Sequence, residues 1–453
     1  MTQAAAALPD DVLAAILACL PARSLAASRC VCSAWRDLVD ERQLLARHLL
    51  PHSVSGLFIN DDDQRHPRFF ARPMPPSGEP VDGKFGFIED GYQHKRGTVL
   101  DHCNGLVLYT NSNSTAAIYV CNPATRQWAR LPSCPSRDWT AGRRAFLAFD
   151  PVTSLQYYEV LLAPHLPSEF SKRRSMKWPP SQWTWPVFSS IDGQWGERAF
   201  VREGEAAGTV AAMRANTKYV HEASTLWLSA TYWEGALYLN FFREYILKMC
   251  LSNNKFRVIK SPVCQDDSYI GATTYLGKSE KGMYFATIHH DYCQLRVWML
   301  HELCEGTECA TIHHDYLKPA VWWMLAATKL KRDAGPWNLD QYDNAGKKGK
   351  ARGLVNHDSE WDSEDDNVVD FASRSDEESQ LLRNANDVPR DVAYSLLGFH
   401  PYREVVYLCA AHVAVAYHLK DSKVQHLGTI RLHDWHYSVD EAFMYTPCMI
   451  GDL

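Results

Sequence analysis

The sequence has no CxxC pair among its 13 cysteines, no apolar run near the roughly 18 residues a membrane helix needs, and no concentrated basic footprint. An odd, scattered set of cysteines fits reduced thiols in cytosol or nucleus better than a secreted disulfide framework, most of them serving as small buried hydrophobes. The N-terminus reaches Asp10 and Asp11 before any basic residue, so neither a signal peptide nor a span is expected, and the expected location is cytoplasmic and/or nuclear. GxSxG, HExxH and GxGxxG are all missing, and no order or spacing among 19 histidines selects a Ser, His, Asp set. No catalytic residue, cofactor or metal is therefore assigned.

What is present is an ordinary globular composition with a bias. The 453 residues suffice for about three domains, or for one small and one large. Hydrophobic residues make up 46%, charged residues 22% and aromatics 12%, with 15 Trp leaning toward strands rather than helices. The net charge of −6 is local: from His357 to Ser379 ten acids face one base, Arg374, and the rest of the chain carries 43 acids against 46 bases, a net of +3.

The first fifty residues read as helical. Val12, Leu13, Ile16, Leu17 and Leu20 share one helical face, behind Pro9 and the acids of a positive-ended first turn. Ser24 can cap a second short helix carrying Leu25, and Ser33 a third carrying Trp35, Leu38 and Val39. Three such helices have more apolar surface than fifty residues can hide, so the unit is expected to lean on a partner. From about Thr98 the pattern becomes strand, tight polar turn, strand: Gly105 to Tyr109 and Ile118 to Cys121, then Phe146 to Asp150 and Tyr157 to Leu162, Tyr245 to Leu251 and Phe256 to Ile259, Val413 to Leu419 and Val424 to Ile430. Such units need neighbours to cover both faces, which suggests radially arranged blades. Between Lys331 and Asp391 strand signals fade, and the opposite charge blocks there predict a disordered insertion.

Several segments invite chemistry. Ala286 to Tyr292 recurs identically at Ala310 to Tyr316, 24 residues later, and brings His289-His290-Asp291 and His313-His314-Asp315 near Cys293, Cys304 and Cys309. The spacing fits no zinc pattern, and adjacent strand residues face opposite ways, so hairpin histidines are expected, with Tyr292, Trp298, Tyr316 and Trp322 as apolar cover. Gly277-Lys278-Ser279 after Gly271 imitates a phosphate loop with one residue too many, and the strand-like Met283 to Ala286 after it makes a hairpin turn the better reading. Lys172, Arg173, Arg174 and Lys177 beside Trp178, Trp183 and Trp185 could contact single-stranded nucleic acid, but Pro179, Pro180 and Pro186 argue for an ordered loop; no nucleic-acid or membrane partner is expected.

Leu8-Pro9-Asp10-Asp11-Val12-Leu13, Leu20-Pro21, Ser24-Leu25 and Arg29-Cys30-Val31-Cys32-Ser33-Ala34-Trp35-Arg36-Asp37-Leu38 resemble an F-box, with Ala27 where the family often has a base. Cys103-Asn104-Gly105-Leu106, Cys121 to Trp128, Leu131-Pro132, Val187 to Ser190 before Gly193-Gln194-Trp195, Gly398-Phe399-His400-Pro401, Ala414 to Leu419 and Tyr445-Thr446-Pro447-Cys448 are similar to the F-box-associated, kelch-like propeller of plant F-box proteins. The implied fold class is α+β: a three-helix F-box at 1–50, a connecting segment at 51–97, and a mainly antiparallel β-propeller-like domain at 98–453 with its insertion at 331–391. The implied function is that of a non-catalytic substrate adaptor in a Skp-cullin-F-box ubiquitin ligase. Leu8, Pro9, Leu13, Ile16, Leu25, Val31 and Trp35 would dock on the Skp-type adaptor, and through it on the cullin scaffold, while the propeller holds an unknown protein substrate. The competing reading is a propeller-fold enzyme or small-molecule binder with a helical packing segment.

Overall fold

A computed structural model describes residues 8–20, 25, 28, 31–42, 44, 54–60, 66–72, 81–89, 97–111, 117–134, 144–154, 156–164, 175–216, 227–242, 244–263, 272–289, 294–303, 306–317, 337–339, 368–369, 394–410, 412–430, 439 and 441–448. The N-terminal unit contains α1 (Asp10–Ala18) and α2 (Ser33–Glu41), with Leu25 and Ser28 helical between them. The rest of the expected second helix lies outside the described residues. Pro9 precedes α1, and its carbonyl accepts the Val12 and Leu13 amides, while Asp10 and Asp11 occupy the positive-ended first turn. Leu17, Leu25, Leu38 and Val39 form the small core.

Everything beyond is mostly sheet, so the described residues make a mainly β molecule rather than a balanced α+β one. Strands β1 (Gly56–Asn60) and β2 (Arg68–Ala71) come first. The second blade is a meander of β3 (Gly97–Cys103), β4 (Leu106–Asn111), β5 (Ile118–Asn122) and β6 (Gln127–Arg130). The third runs through β7 (Ala145–Phe149), β8 (Tyr158–Leu162), β10 (Gln182–Ser189) and β11 (Gln194–Arg202); a side ribbon, β9 (Lys177–Trp178) with β12 (Gly208–Thr209), leads into α3 (Val210–Asn216). The fourth is β13 (Trp227–Trp233), β14 (Ala236–Phe241), β15 (Tyr245–Cys250) and β16 (Lys255–Lys260), and a short parallel pairing of β11 with β16 joins it to the third. The fifth is β17 (Thr273–Ser279), β18 (Gly282–His289), β19 (Gln294–Leu303) and β20 (Gly306–Tyr316). After the two-residue β21 (Asn338–Leu339) and β22 (Val368–Val369), the sixth is β23 (Tyr394–Phe399), β24 (Val405–Ala410), β25 (Val413–His418) and β26 (Val424–Thr429). Finally β27 (Glu441–Tyr445) pairs with β1, so the first blade is built from both ends of the chain, in the order β21-β2-β1-β27.

The innermost strands contact one another in a closed circuit: β27, β3, β7, β13, β17, β23 and back to β27. Six hydrophobic clusters fill the six gaps between neighbouring blades. Being covered on both faces explains the unbroken burial of Leu106–Asn111, Ala236–Phe241 and Val405–Ala410. Outer strands differ. β16 alternates exposed Lys255, Arg257 and Lys260 with buried Phe256 and Ile259, and Lys255 and Arg257 form ion pairs with Glu203 just beyond the paired end of β11.

The segment expected only to connect, 51–97, thus supplies two strands of the closing blade; its short apolar runs are invisible as strands until the C-terminal partner is known. Within 331–391, expected to be disordered, Trp337 is buried, Asn338–Leu339 pair with β2, and Val368–Val369 pair with β26; the remainder lies outside the described residues.

Candidate functional site

Two regions stand out: the outer surface of the helical unit and the propeller axis. On the helical unit, Leu8, Val12, Ile16 and Val31 are large apolar side chains left exposed, between 46% and 63%. Val12 and Ile16 lie one turn apart on the outer side of α1, opposite the buried Ala14 and Leu17. Pro9 is exposed, and Leu13 and Trp35 are half-buried. Leu25, grouped with the docking residues on sequence, is fully buried, so its role is to hold the helices together. Val12 was missed, although its four-residue spacing from Ile16 and Leu8 was the available signal.

Along the axis, two chambers follow one another. Where the inner strands begin, a cavity of about 160 Å³ is bordered by Asp101, His102, Arg144, Thr274, Ser395 and Glu441. Arg144 is ion-paired with Glu441, whose second oxygen accepts the Asn60 amide at 3.1 Å; Asn60 also bridges to the Val99 carbonyl at 2.7 Å. Asp101 is buried and accepts the Leu147 amide at 2.7 Å. Burial pushes its carboxyl up to about 7 despite that bond and the nearby Arg144 charge, and burial lowers Arg144 to about 10 and His102 to about 4. The network joins β1, β3, β7 and β27 across three blades.

Where the inner strands end, a smaller cavity of about 70 Å³ shares His102 and Tyr275 with the first and is walled by Tyr232, Lys278, Phe399, Tyr402 and Met444. The Lys278 ammonium lies 5.4 Å from the centre of the Tyr402 ring. Desolvation lowers its affinity for a proton, opposed by the more distant Cys103, Asp150 and Glu234.

Comparison with known proteins decides the family. Residues 87–327 match the family described as F-box protein At3g26010-like, beta-propeller, and residues 5–51 match an F-box-like domain. The chain belongs to this family of F-box propeller proteins. Among curated relatives, the F-box/kelch-repeat protein At3g61590 of Arabidopsis thaliana is 32% identical over 143 residues, 30% of this chain and 32% of the relative. The F-box protein At1g53790 of the same plant is 24% identical over 153 residues, 32% of this chain and 34% of the relative. The chain thus spans about a third of the length of the curated relatives it matches. Among solved structures, the Cps50 (Swd1) beta-propeller domain of Myceliophteria thermophila aligns over 83% of this chain and 86% of its own at 10% identity and a TM-score of 0.33. YCF48 bound to D1 peptide aligns over 83% and 82% at 6% identity and a TM-score of 0.32. The six-blade architecture rests on this chain's own strand pairings.

The family motifs of this F-box propeller protein hold blades to one another. Asn104 and Gly105 both have positive φ, giving the tight turn from β3 to β4, and a Cβ on Gly105 would sit 2.4 Å from that of Cys448. From the same turn, Cys103 Sγ and Asn104 Nδ2 donate to the Phe149 carbonyl of the next blade, the latter at 2.7 Å. Asn122 Nδ2 donates to the Cys448 carbonyl at 2.9 Å. Ser279, in the imitation phosphate loop, donates to the Arg403 carbonyl at 2.7 Å, tying the fifth blade to the sixth, and the segment is the β17–β18 hairpin turn.

The duplicated heptads flank β19 on its two sides. In the first copy His289 is buried in β18; His290, Asp291, Tyr292, Cys293 and Cys304 lie outside the described residues. In the second copy, Tyr417 of the neighbouring blade donates to Asp315, and His313 Nε2 lies 3.1 Å from the same hydroxyl. The second copy is therefore an inter-blade clamp, beyond the hairpin geometry expected of it. Trp298 is buried against Phe285. Trp178 and Trp185, weighed as stacking platforms for nucleic acid, are fully buried among Trp183, Trp227 and Phe241; Lys172, Arg173 and Arg174 lie outside the described residues. Among the described residues no helix is long and apolar enough to cross a membrane.

Proposed function

We propose that this chain is a substrate adaptor of a Skp-cullin-F-box ubiquitin ligase. Its helical unit docks on the Skp-type subunit, and through it on the cullin scaffold, while the propeller holds the protein to be modified. The observation that carries this reading is the pairing of an F-box-like unit with a six-bladed ring, the unit leaving Leu8, Val12, Ile16 and Val31 exposed while Leu17, Leu25, Leu38 and Val39 fill its core. Exposed apolar residues beside a complete small core are what a docking surface requires. In this reading the chain catalyses nothing; it raises the effective concentration of a target lysine beside a conjugating enzyme carried elsewhere in the assembly. The rival small-molecule reading fits less well, because an axial cavity of about 160 Å³ falls short of the roughly 300–1,000 Å³ of ordinary ligand pockets.

Docking is assigned to Leu8, Pro9, Leu13, Ile16, Val31 and Trp35, with Val12 added and Leu25 moved to the core. Each anchor buried at the interface contributes on the order of 2 kcal/mol, or roughly 30-fold in affinity. Leu8→Ala with Pro9→Ala is therefore expected to weaken binding to a purified Skp-type subunit at least tenfold in a pull-down or calorimetric titration. Both side chains are exposed, so the fold is expected to persist. Unchanged adaptor affinity in that double variant would refute the docking assignment.

A further inference from the structure

Lys278 is a half-buried cation with no counter-ion among the described residues. It has no ion pair within 4 Å among the described residues, and its ammonium faces the Tyr402 ring in the 70 Å³ chamber at the end of the axial channel. The acids that act on it from a distance are Asp150 and Glu234. Asp150 is engaged in its own turn, accepting the Val152 amide at 3.0 Å and the Thr153 hydroxyl at 2.8 Å. Taking an ammonium partly out of water without a carboxylate partner is unfavourable, and an aromatic face offsets only a part of that. A half-buried structural lysine commonly takes a carboxylate partner; among the described residues Lys278 has none within ion-pair distance, and its ammonium rests over an aromatic ring instead.

The chamber's size and walls narrow the occupant. About 70 Å³ admits the tip of one side chain and not a whole metabolite, so the ligand is a group carried by something larger that rests on this face of the ring. Tyr232 lies on the same wall, and its hydroxyl, with no hydrogen bond to any described residue, has a proton to donate. Phe399 and Met444 supply an apolar collar suited to methylene groups. A cation, a neutral donor and an apolar collar complement an acidic side chain.

We propose that this chamber receives the carboxylate of an Asp or Glu in the protein held by the propeller, with Lys278 as its counter-ion and Tyr232 as a second donor. The proposal rests on the adaptor reading for the identity of the larger partner, and it names the acidic residue through which that partner is recognised.

The test is selection of a displayed random dodecapeptide library on the immobilised full chain, followed by titration of one enriched synthetic peptide. Asp or Glu is expected at one fixed position. Its replacement by Gln, or Lys278→Met in the protein, is expected to weaken binding at least tenfold, while Lys278→Arg retains it. Absence of acidic enrichment, or equal binding by Lys278→Met, overturns the proposal. So does a version with phosphoserine at the fixed position that binds more than tenfold tighter than the carboxylate form, since the chamber would then be a phosphate site. Because Lys278 loses no ion pair on substitution, Lys278→Met is expected to melt no lower than the parent; a fall of more than about 3 °C marks a structural counter-charge to Asp150 and Glu234 and also overturns it. Binding of the Skp-type subunit is measured on the same samples. Its loss from both forms removes the ligase reading and leaves the carboxylate site standing, whereas intact adaptor binding without acidic selection does the reverse.

Discussion

Asp101 and His102 are adjacent in sequence, and burial drives them in opposite directions. The Asp101 carboxyl is raised from 3.8 to about 7, so the stability it contributes is present at low pH and lost as pH rises through about 4–7. His102 is lowered from 6.5 to about 4, and His400 to about 3, so their contribution is present above 6.5 and lost on acidification. Over the shared window the aspartate offsets the histidines. Asp101→Asn keeps an acceptor for the Leu147 amide and removes the offset, so thermal melts at pH 7.0, 5.5 and 4.5 are expected to fall more steeply than in the parent. An unchanged slope would show that Asp101 titrates normally. None of this was legible in the sequence, where Asp101 and His102 are two polar letters in a strand; depth arises only when six inner strands converge. Lys278 was visible only as part of an imitation phosphate loop, and the exposed and buried leucines of the helical unit carried the same apolar signal.

At the level of strands, one heptad occupies two environments. In β18 Ala286, Thr287 and Ile288 are fully buried between β17 and β19; in β20 Ala310, Thr311 and Ile312 are exposed on the blade's outer strand. The register shifts at Ile312, which pairs with nothing on β19 while Thr311 faces Trp298 and His313 faces Val297. A bulge at an outer strand bends it and blunts its capacity to pair with another chain. Periodicity disclosed the repeat, but identical letters cannot say which copy is central. The clamp on Tyr417 gives the second copy a measurable role. Tyr417→Phe removes the donor to Asp315 in a buried setting and is expected to cost about 1–3 kcal/mol in urea denaturation, whereas loss below about 0.5 kcal/mol would make the contact incidental. Gly105→Ala belongs to the same class of junction: positive φ and the 2.4 Å approach to Cys448 both oppose a side chain, and a loss of at least about 1–3 kcal/mol is expected in the same assay.

For the molecule as a whole, hairpins of the second, third, fourth and sixth blades were legible because their turns announce themselves, Asn122-Pro123 and Ser252-Asn253-Asn254 among them, whereas the fifth showed only as a duplicated segment and the number of blades did not show at all. The first blade was not legible, since Gly56–Asn60 finds its partner at Glu441–Tyr445 and local pattern carries no trace of so distant a pairing. Truncation before Glu441 removes β27 and is expected to abolish single-step thermal unfolding, whereas removal of 340–366, which supplies no described strand, is expected to leave the transition nearly unchanged because closure entropy varies slowly with loop length. The same closure imposes an order on biosynthesis. Asn60 leaves the ribosome 381 residues ahead of Glu441, which at about 5–20 residues per second is an interval of roughly 20–75 s. Through that interval Leu57, Phe58 and Ile59, all fully buried in the finished ring, have no β27 to cover them. A nascent chain that stalls anywhere in between therefore displays an apolar strand with one edge open, the kind of surface that chaperones hold and proteases sort, so that only a chain translated as far as β27 withdraws the signal.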